Sequence, residues 1–458
     1  MSHESTAVRL GAVAGRGEPR LLRVLGTPSL VLFGLVYMVP LTVFTTYGIV
    51  TETTGGRVPA AYLVTLAAMV FTANSYARMV RAYPVAGSAY TYTQQSFGAA
   101  PGFLAGWSLL LDYLFLPMIN YLVIGLYLNA ALPAVPAWVF VLAAIALVTV
   151  LNVVGIVSIA RTNALIIAVQ VVFIAAFVVL GAAAVSGAGV VDPVAPLAGD
   201  GSVEGPGALF AGAAVLCLSF LGFDSVSTMA EEARDARRSV PRAILFTTLV
   251  AGATFIGLSY LAQLVFPSNE FTDVDSAALD VMAAAGGQFL AVFFTAAYVA
   301  GALGSALTSQ AAVARILYAM GRDGVLPRSV FGRLSARFNS PVPAILCVSA
   351  VSCAAVFISL GLLAEMISFG ALIAFSAVNL SVIKHYVVDE GRRSGRDLAA
   401  YLVLPGVGFA LTVWLWTSLS PRTLVVGLVW MALGVVYLAW LTRGFRRRTP
   451  TLDLAEEA

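Results

Sequence analysis

The chain has 458 residues, of which 60% are apolar and only 11% charged, with a formal net charge of +3. Soluble domains run about 45–50% apolar and about 25% charged, and a soluble fold cannot hide such an excess, because much of any globular surface must face water. The composition excludes a cytosolic enzyme, a nucleic-acid binder and a disordered scaffold, and points to an all-α polytopic membrane protein. At roughly 20 apolar residues per spanning helix, twelve spans use about half of the chain and leave no room for a second soluble domain.

Residues 1–27 are polar, carry Arg9, Arg16, Arg20 and Arg23, and show no cleavable signal pattern, so the first apolar run is expected to stay as a span. Apolar runs between charges, glycines and prolines then place spans at 29–51, 59–80, 102–128, 137–155, 162–185, 207–231, 242–266, 287–319, 342–360, 363–386, 401–419 and 423–442. The run 287–319 exceeds what a bilayer needs and is expected to tilt or protrude. With a cytoplasmic N-terminus, 24 of the 26 basic residues fall on the inner side, leaving only Arg57 and Arg422 outside. That alternation supports the number of spans, two cytoplasmic termini and contacts of the inner clusters with anionic lipid head groups. The outer loops 187–206 and 267–286 carry Asp192, Asp200, Glu204, Glu270, Asp273, Asp275 and Asp280. They either attract cations to an outer mouth or are simply solvated.

Cys217, Cys347 and Cys353 lie in apolar runs without paired spacing, and the two histidines are His3 in the tail and His385 at a span end. No metal site, disulfide framework or cofactor is expected.

Two spans carry internal interruptions. Span 1 reads GLVYMVPLTVF (34–44), in which Pro40 lacks an N–H and clashes one turn back, and Thr42, Thr45 and Thr46 crowd the second half. Span 6 reads SFLGFDSVS (219–227), with Gly222 followed by the mid-span acid Asp224. Five spans separate them, so span 6 enters from the side opposite to span 1. Corresponding interrupted helices near the midplane are the best sequence pointer to a transporter's binding site.

At these residues the chain resembles the amino acid–polyamine–organocation superfamily, from about residue 24 to 446. The motifs stand in order: PVAGSAYTY (84–92), SFLGFDSVS, EEARDARRSVPRAI (231–244) and GRDGVLP (321–327). MVPLTVF (38–44), VPAAYL (58–63) and LDYLFLPMIN (111–120) look most like bacterial putrescine importers. The resemblance implies a LeuT-type fold in the bacterial plasma membrane. Its inverted repeats would be residues 28–186 (spans 1–5) and 207–388 (spans 6–10), joined by the outer loop 187–206. Spans 11 and 12 (389–442) would be peripheral and residues 443–458 a cytoplasmic tail. It also implies alternating access and uptake driven by an ion gradient, usually of protons.

The residues around the breaks supply candidates for a small amine substrate. Members that carry α-amino acids hold the carboxylate on free N–H groups of a glycine-rich span 1 break. Met38, Val39 and Pro40 replace those glycines here, which suits a substrate with amines only. Only Asp112 and Asp224 sit deep in the expected bilayer, and such residues are functional hypotheses because they are expensive there. Asp112 is a proton site or amine partner, or a structural acid. Asp224 stabilises the backbone N–H groups freed by the break, or binds an amine.

Tyr37, Phe220 and Tyr298 are the aromatics chosen to line the cavity, where a ring face attracts a cation. Asn120, Tyr121, Ser219, Leu221 and Gly222 complete the set. Proton-coupled relatives often carry a lysine in span 5, where this chain has Gln170, and its only lysine is Lys384. Sodium coupling through Ser305, Thr308 and Ser309 is therefore kept beside proton coupling. The sequence reads as an importer of putrescine or a related diamine. The rivals are an amino-acid importer on the same fold and a substrate-gated channel or sensor.

Overall fold

The computed structural model describes residues 25–446 apart from 86–87, 155–158, 188–191, 204, 323–325, 336–339 and 445. Arg9, Arg16, Arg20 and Arg23 of the N-terminal tail, Glu204, the core of the 321–327 motif and residues 447–458 lie outside the described set. Among the described residues the chain is helical, save for a single parallel bridge between Leu25 and Ala233.

Among the described residues, eleven helical segments are long and apolar enough to cross a membrane. They are span 1 (Thr27–Phe44), span 2 (Val58–Ala82), span 3 (Ala99–Ala131), span 4 (Ala137–Val154) and span 5 (Leu165–Gly187 within the helix Ile159–Gly187). After the outer loop come span 6 (Pro206–Ala230), span 7 (Ala236–Val265) and span 8 (Ala278–Tyr318 within Ala278–Arg322). Span 10 (Leu360–Asp389), span 11 (Gly395–Thr417) and span 12 (Pro421–Leu441) close the series.

The ninth expected span, 342–360, is shorter than expected. It is an α-helix over Val342–Ser352 that tightens to a 3-10 helix over Cys353–Phe357. At 1.5 Å per α residue and 2.0 Å per 3-10 residue it reaches about 27 Å, a little under a hydrocarbon core of about 30 Å.

Local chemistry explains the ends and bends. Asp235 caps span 7 by accepting from the Arg238 N–H at 3.2 Å. Span 8 is bent at Gly286 and Gly287, the second at φ 67°, which only glycine adopts without cost. The expected start of that span at 287 is thus a hinge between a short outer helix and the spanning one. Span 12 begins at Ser420, whose N–H donates to Glu365 Oε2 at 3.3 Å, and the Ser420 and Thr423 hydroxyls reach the same oxygen. Glu365 lies inside span 10, so Asp112 and Asp224 are not alone as acids within the spans. Its charge is spent on the positive end of a helix.

Span 2 packs along span 7, and span 3 lies against spans 8 and 10. Span 5 covers span 8, the first half of span 1 lies on span 7, and spans 11 and 12 pack outside against spans 10 and 2 and spans 3 and 10. The buried centre is rich in Tyr and Phe, while Val171, Val179, Val425 and Trp440 are exposed, as expected for faces that meet lipid.

Candidate functional site

The first break falls one residue before the proline. Helix Thr27–Met38 ends at Val39, at φ 52° and ψ 95°, and Pro40 opens a 3-10 helix over Pro40–Phe44. Proline disfavours helical backbone in the residue before it and is well suited to a first helical position, so the ring starts the second segment. A β-branched residue at positive φ costs on the order of 1–3 kcal/mol and persists only where its surroundings impose it. The Thr42 hydroxyl lies 2.7 Å from the Met38 carbonyl oxygen and 2.6 Å from that of Val39, and so satisfies carbonyls freed by the break. The Val39 N–H turns back to the Val36 carbonyl at 3.3 Å.

Span 6 changes from α-helix (Pro206–Val215) to 3-10 helix (Leu216–Phe220), unwinds through residues 221–224, and resumes as a 3-10 helix over Ser225–Glu231. Gly222 has φ 135°. Its N–H donates to Asp224 Oδ1 at 3.0 Å, and the N–H groups of Asp224 and Ser225 are also directed at that carboxyl. The Asp224 side chain therefore serves the freed backbone. The two breaks touch, since a Cβ on Gly222 would stand 2.8 Å from Met38 Cγ and 3.1 Å from the Gly34 carbonyl oxygen.

Two adjoining cavities meet at the span 1 break. One, of about 30 Å³, is lined by Tyr37, Met38, Val39, Thr42, Thr45, Leu116, Ile119, Asn120, Val123, Leu218, Tyr298, Ala302 and Ser305. The other, of about 50 Å³, reaches toward the N-terminal end of span 1. Phe33, Val36, Tyr37, Val39, Leu116, Ile166, Ile167, Gln170, Gly301, Gly304, Ser305, Thr308 and Ser309 line it. Phe44, Tyr127, Phe294 and Tyr298 form an aromatic cluster of edge-to-face and tilted pairs. Tyr298 also bonds the Thr45 hydroxyl, and the Tyr127 hydroxyl donates to the Phe44 carbonyl at 3.2 Å. Thr45 and Tyr298 both line the smaller cavity, so the cluster abuts it.

The structure brings Tyr37, Met38, Val39, Asn120 and Tyr298 to the cavities. Asn120 donates to the Leu116 carbonyl at 2.9 Å and to Ser305 Oγ at 3.0 Å, tying span 3 to span 8. Asp112 and Asp224 line neither cavity. They are 4% and 3% exposed and lie within electrostatic range of one another and of Tyr37, which lines both cavities. Asp112 Oδ1 has no hydrogen-bond partner among the described residues. Span 10 approaches it closely, because Gly370 lets the backbone reach the turn Ser108–Asp112.

Three other expected residues face elsewhere. The Phe220 ring packs edge-on to Phe255 at 5.4 Å and beside Tyr62, among spans 2 and 7. Ser219 pairs with the Tyr62 hydroxyl at 3.0 Å. Tyr121 donates to Gln310 Oε1 at 3.2 Å, within a polar network that includes Asn152 and Ser349. Leu221 is buried in the span 6 turn.

Sequence reasoning missed Leu116, Ile119 and Val123. With Asn120 they follow the i, i+3, i+4, i+7 spacing of one helix face, the signal that could have found them.

The comparisons agree with this architecture. Residues 29–436 match the family model described as "Amino acid permease". The chain belongs to the amino acid permease family. This permease is 42% identical over 443 residues to the low-affinity putrescine importer PlaP of Escherichia coli K12, covering 94% of this chain and 96% of that one. It is 28% identical over 465 residues to the branched-chain amino acid permease BcaP of Bacillus subtilis, covering 92% and 94%. It is also 30% identical over 400 residues to the vacuolar cationic amino acid transporter 4 of Arabidopsis thaliana, covering 82% of this chain and 65% of the relative. Family and relatives are transporters, so this permease is an integral membrane transport protein and not an enzyme.

Proposed function

We propose that the permease is a secondary active importer of a small organic cation, putrescine or a related diamine, in the bacterial plasma membrane with both termini cytoplasmic. The substrate binds where the breaks of spans 1 and 6 meet, and access alternates between the two sides. The observation that carries this reading is the state of the backbone N–H groups at the breaks. Val39 N–H is bonded to Val36 and Gly222 N–H to Asp224, and Pro40 has none. These three positions thus offer no free N–H to an α-carboxylate. The cavities instead present hydroxyl, amide and ring acceptors, with no cationic side chain among the described lining residues. The putrescine importer among the relatives supports the same substrate class.

Inverted repeats over 28–186 and 207–388 are supported by symmetric packing. Span 5 lies on span 8 as span 10 lies on span 3, and span 1 lies on span 7 as span 6 lies on span 2. In this frame the aromatic cluster closes the outer side and the larger cavity leads inward. We take protons as the coupling ion, with Asp112 as their site, because its enclosed carboxyl has an oxygen without a partner. Asp224 is the structural member of the pair.

The test is radiolabelled putrescine uptake into proteoliposomes with independently imposed proton and sodium gradients. Concentrative uptake that follows the proton gradient is expected. Uptake competed by neutral amino acids rather than putrescine would overturn the substrate, and flux independent of any gradient would overturn the mechanism.

A further inference from the structure

Gln170, on span 5, is 1% exposed, and its Oε1 has no hydrogen-bond partner among the described residues. The side chain nevertheless lines the larger cavity. Its amide lies against span 8 at Gly301, where a Cβ would stand 2.3 Å from Nε2, so only glycine admits the amide there. A buried carbonyl oxygen without a donor is costly. A half-turn of the terminal amide exchanges its oxygen and nitrogen and places the oxygen against Gly301, which also lines the larger cavity.

We propose that the two adjoining cavities take the two ammonium ends of one linear diamine, with Gln170 as the acceptor for the second ammonium. The inference rests on the diamine reading above. An ammonium offers three donors and no acceptor, so it needs oxygens whose own hydrogens are engaged elsewhere. The larger cavity supplies them. Thr308 donates to the Gly304 carbonyl at 2.9 Å and Ser309 to the Ser305 carbonyl at 2.7 Å, leaving both hydroxyl oxygens free to accept. In the smaller cavity the Asn120 amide nitrogen is engaged by Leu116 and Ser305, which leaves its oxygen as the acceptor for the first ammonium.

Val39 and Leu116 line both cavities and flank the methylene stem. Gly301, which seats the Gln170 amide, and Ser305, which Asn120 bonds, are four residues apart on one helix, a rise of about 6 Å. Five bonds of an extended four-carbon diamine span about 6 Å between nitrogens. Recognition at both ends is thus neutral and sensitive to length, and a monoamine leaves the Gln170 amide unpaired.

The test measures inhibition of radiolabelled putrescine uptake by unlabelled putrescine, cadaverine and n-butylamine, for wild type, Gln170→Leu and Gln170→Asn in proteoliposomes. Equal insertion and size-exclusion profiles control for folding. A site built for two ammonium groups rejects the monoamine by about tenfold or more in the wild type. Gln170→Leu is expected to raise the putrescine KM by about tenfold while leaving n-butylamine inhibition unchanged. Gln170→Asn, which withdraws the acceptor by one methylene, is expected to shift preference toward cadaverine.

Equal weakening of diamine and monoamine, or no change in either, overturns the inference. So does a Gln170→Leu phenotype confined to the response to a sodium gradient, which would assign the amide to a metal ion. Absence of putrescine uptake by wild type sinks the diamine reading itself, whereas wild-type uptake with indifferent variants sinks only the role of Gln170.

Discussion

Gly222 of span 6 lies so close to Met38 of span 1 that a Cβ added to it would stand 2.8 Å from Met38 Cγ. The two breaks are one packed unit, and the φ of 135° at Gly222 is open only to a residue without a side chain. Gly222→Ala is therefore expected to destabilise the permease by about 1–3 kcal/mol and to abolish uptake. Thermal melting in detergent together with uptake checks this, and wild-type behaviour in both would show that the breaks do not need their close approach.

Asp112 and Asp224 are expected to respond differently to substitution. Asp224→Ala removes the acceptor of the Gly222 N–H inside the bundle and is expected to cost about 1–3 kcal/mol of stability and most of the transport. Asp112→Asn keeps shape and leaves folding intact, but is expected to flatten the dependence of uptake on external pH. An Asp112→Asn protein that transports normally, with the wild-type pH profile, would end its proposed role in coupling.

Glu365 gives a prediction about stability alone. It receives the Ser420 N–H and the Ser420 and Thr423 hydroxyls at the start of span 12, away from both cavities. Glu365→Ala removes the acceptor these donors share and is expected to cost about 1–3 kcal/mol, with KM for the substrate unchanged. A changed KM would connect span 12 to the site.

Thr45 and Tyr298 join span 1 to span 8 beside the smaller cavity, where closure of the outer side is proposed. Tyr298→Phe keeps the ring cluster and removes the hydroxyl, and is expected to weaken closure by about 1 kcal/mol. A cysteine at Thr46 should then react faster with an externally added membrane-impermeant thiol reagent. An unchanged rate would locate closure in the ring packing alone.

The outer loop carries a pH-dependent tie. Asp200 accepts from the Ser202 hydroxyl at 2.5 Å, from the Ser202 N–H at 2.8 Å and from Asn269 Nδ2 at 2.9 Å, and these bonds hold its carboxyl below the usual range. With the folded value below the unfolded one, its contribution is complete above about pH 4 and is lost as pH falls through the folded value. Amide exchange at residues 199–203, corrected for intrinsic rates, should show constant protection from pH 7 to 5 and loss only in stronger acid. A loss between pH 7 and 5 would contradict the assignment.

The sequence alone determined the membrane class, the approximate spans and the two weak points, because each follows from local chemistry. Long apolar runs must be helical in lipid. A proline in span 1 and a Gly–Phe–Asp turn in span 6 cannot continue a regular helix unchanged. It could not decide direction around each helix. Tyr37 and Phe220 look alike in the sequence, yet Tyr37 lines the cavities and Phe220 packs into Phe255, because helix rotation is set by neighbours far along the chain. Likewise only the tertiary structure separates Asp224, spent on the turn two residues back, from Asp112, whose Oδ1 has no partner among the described residues. Burial and hydrogen bonding are properties of the assembled bundle, and they decide which of two identical carboxylates serves the turn beside it.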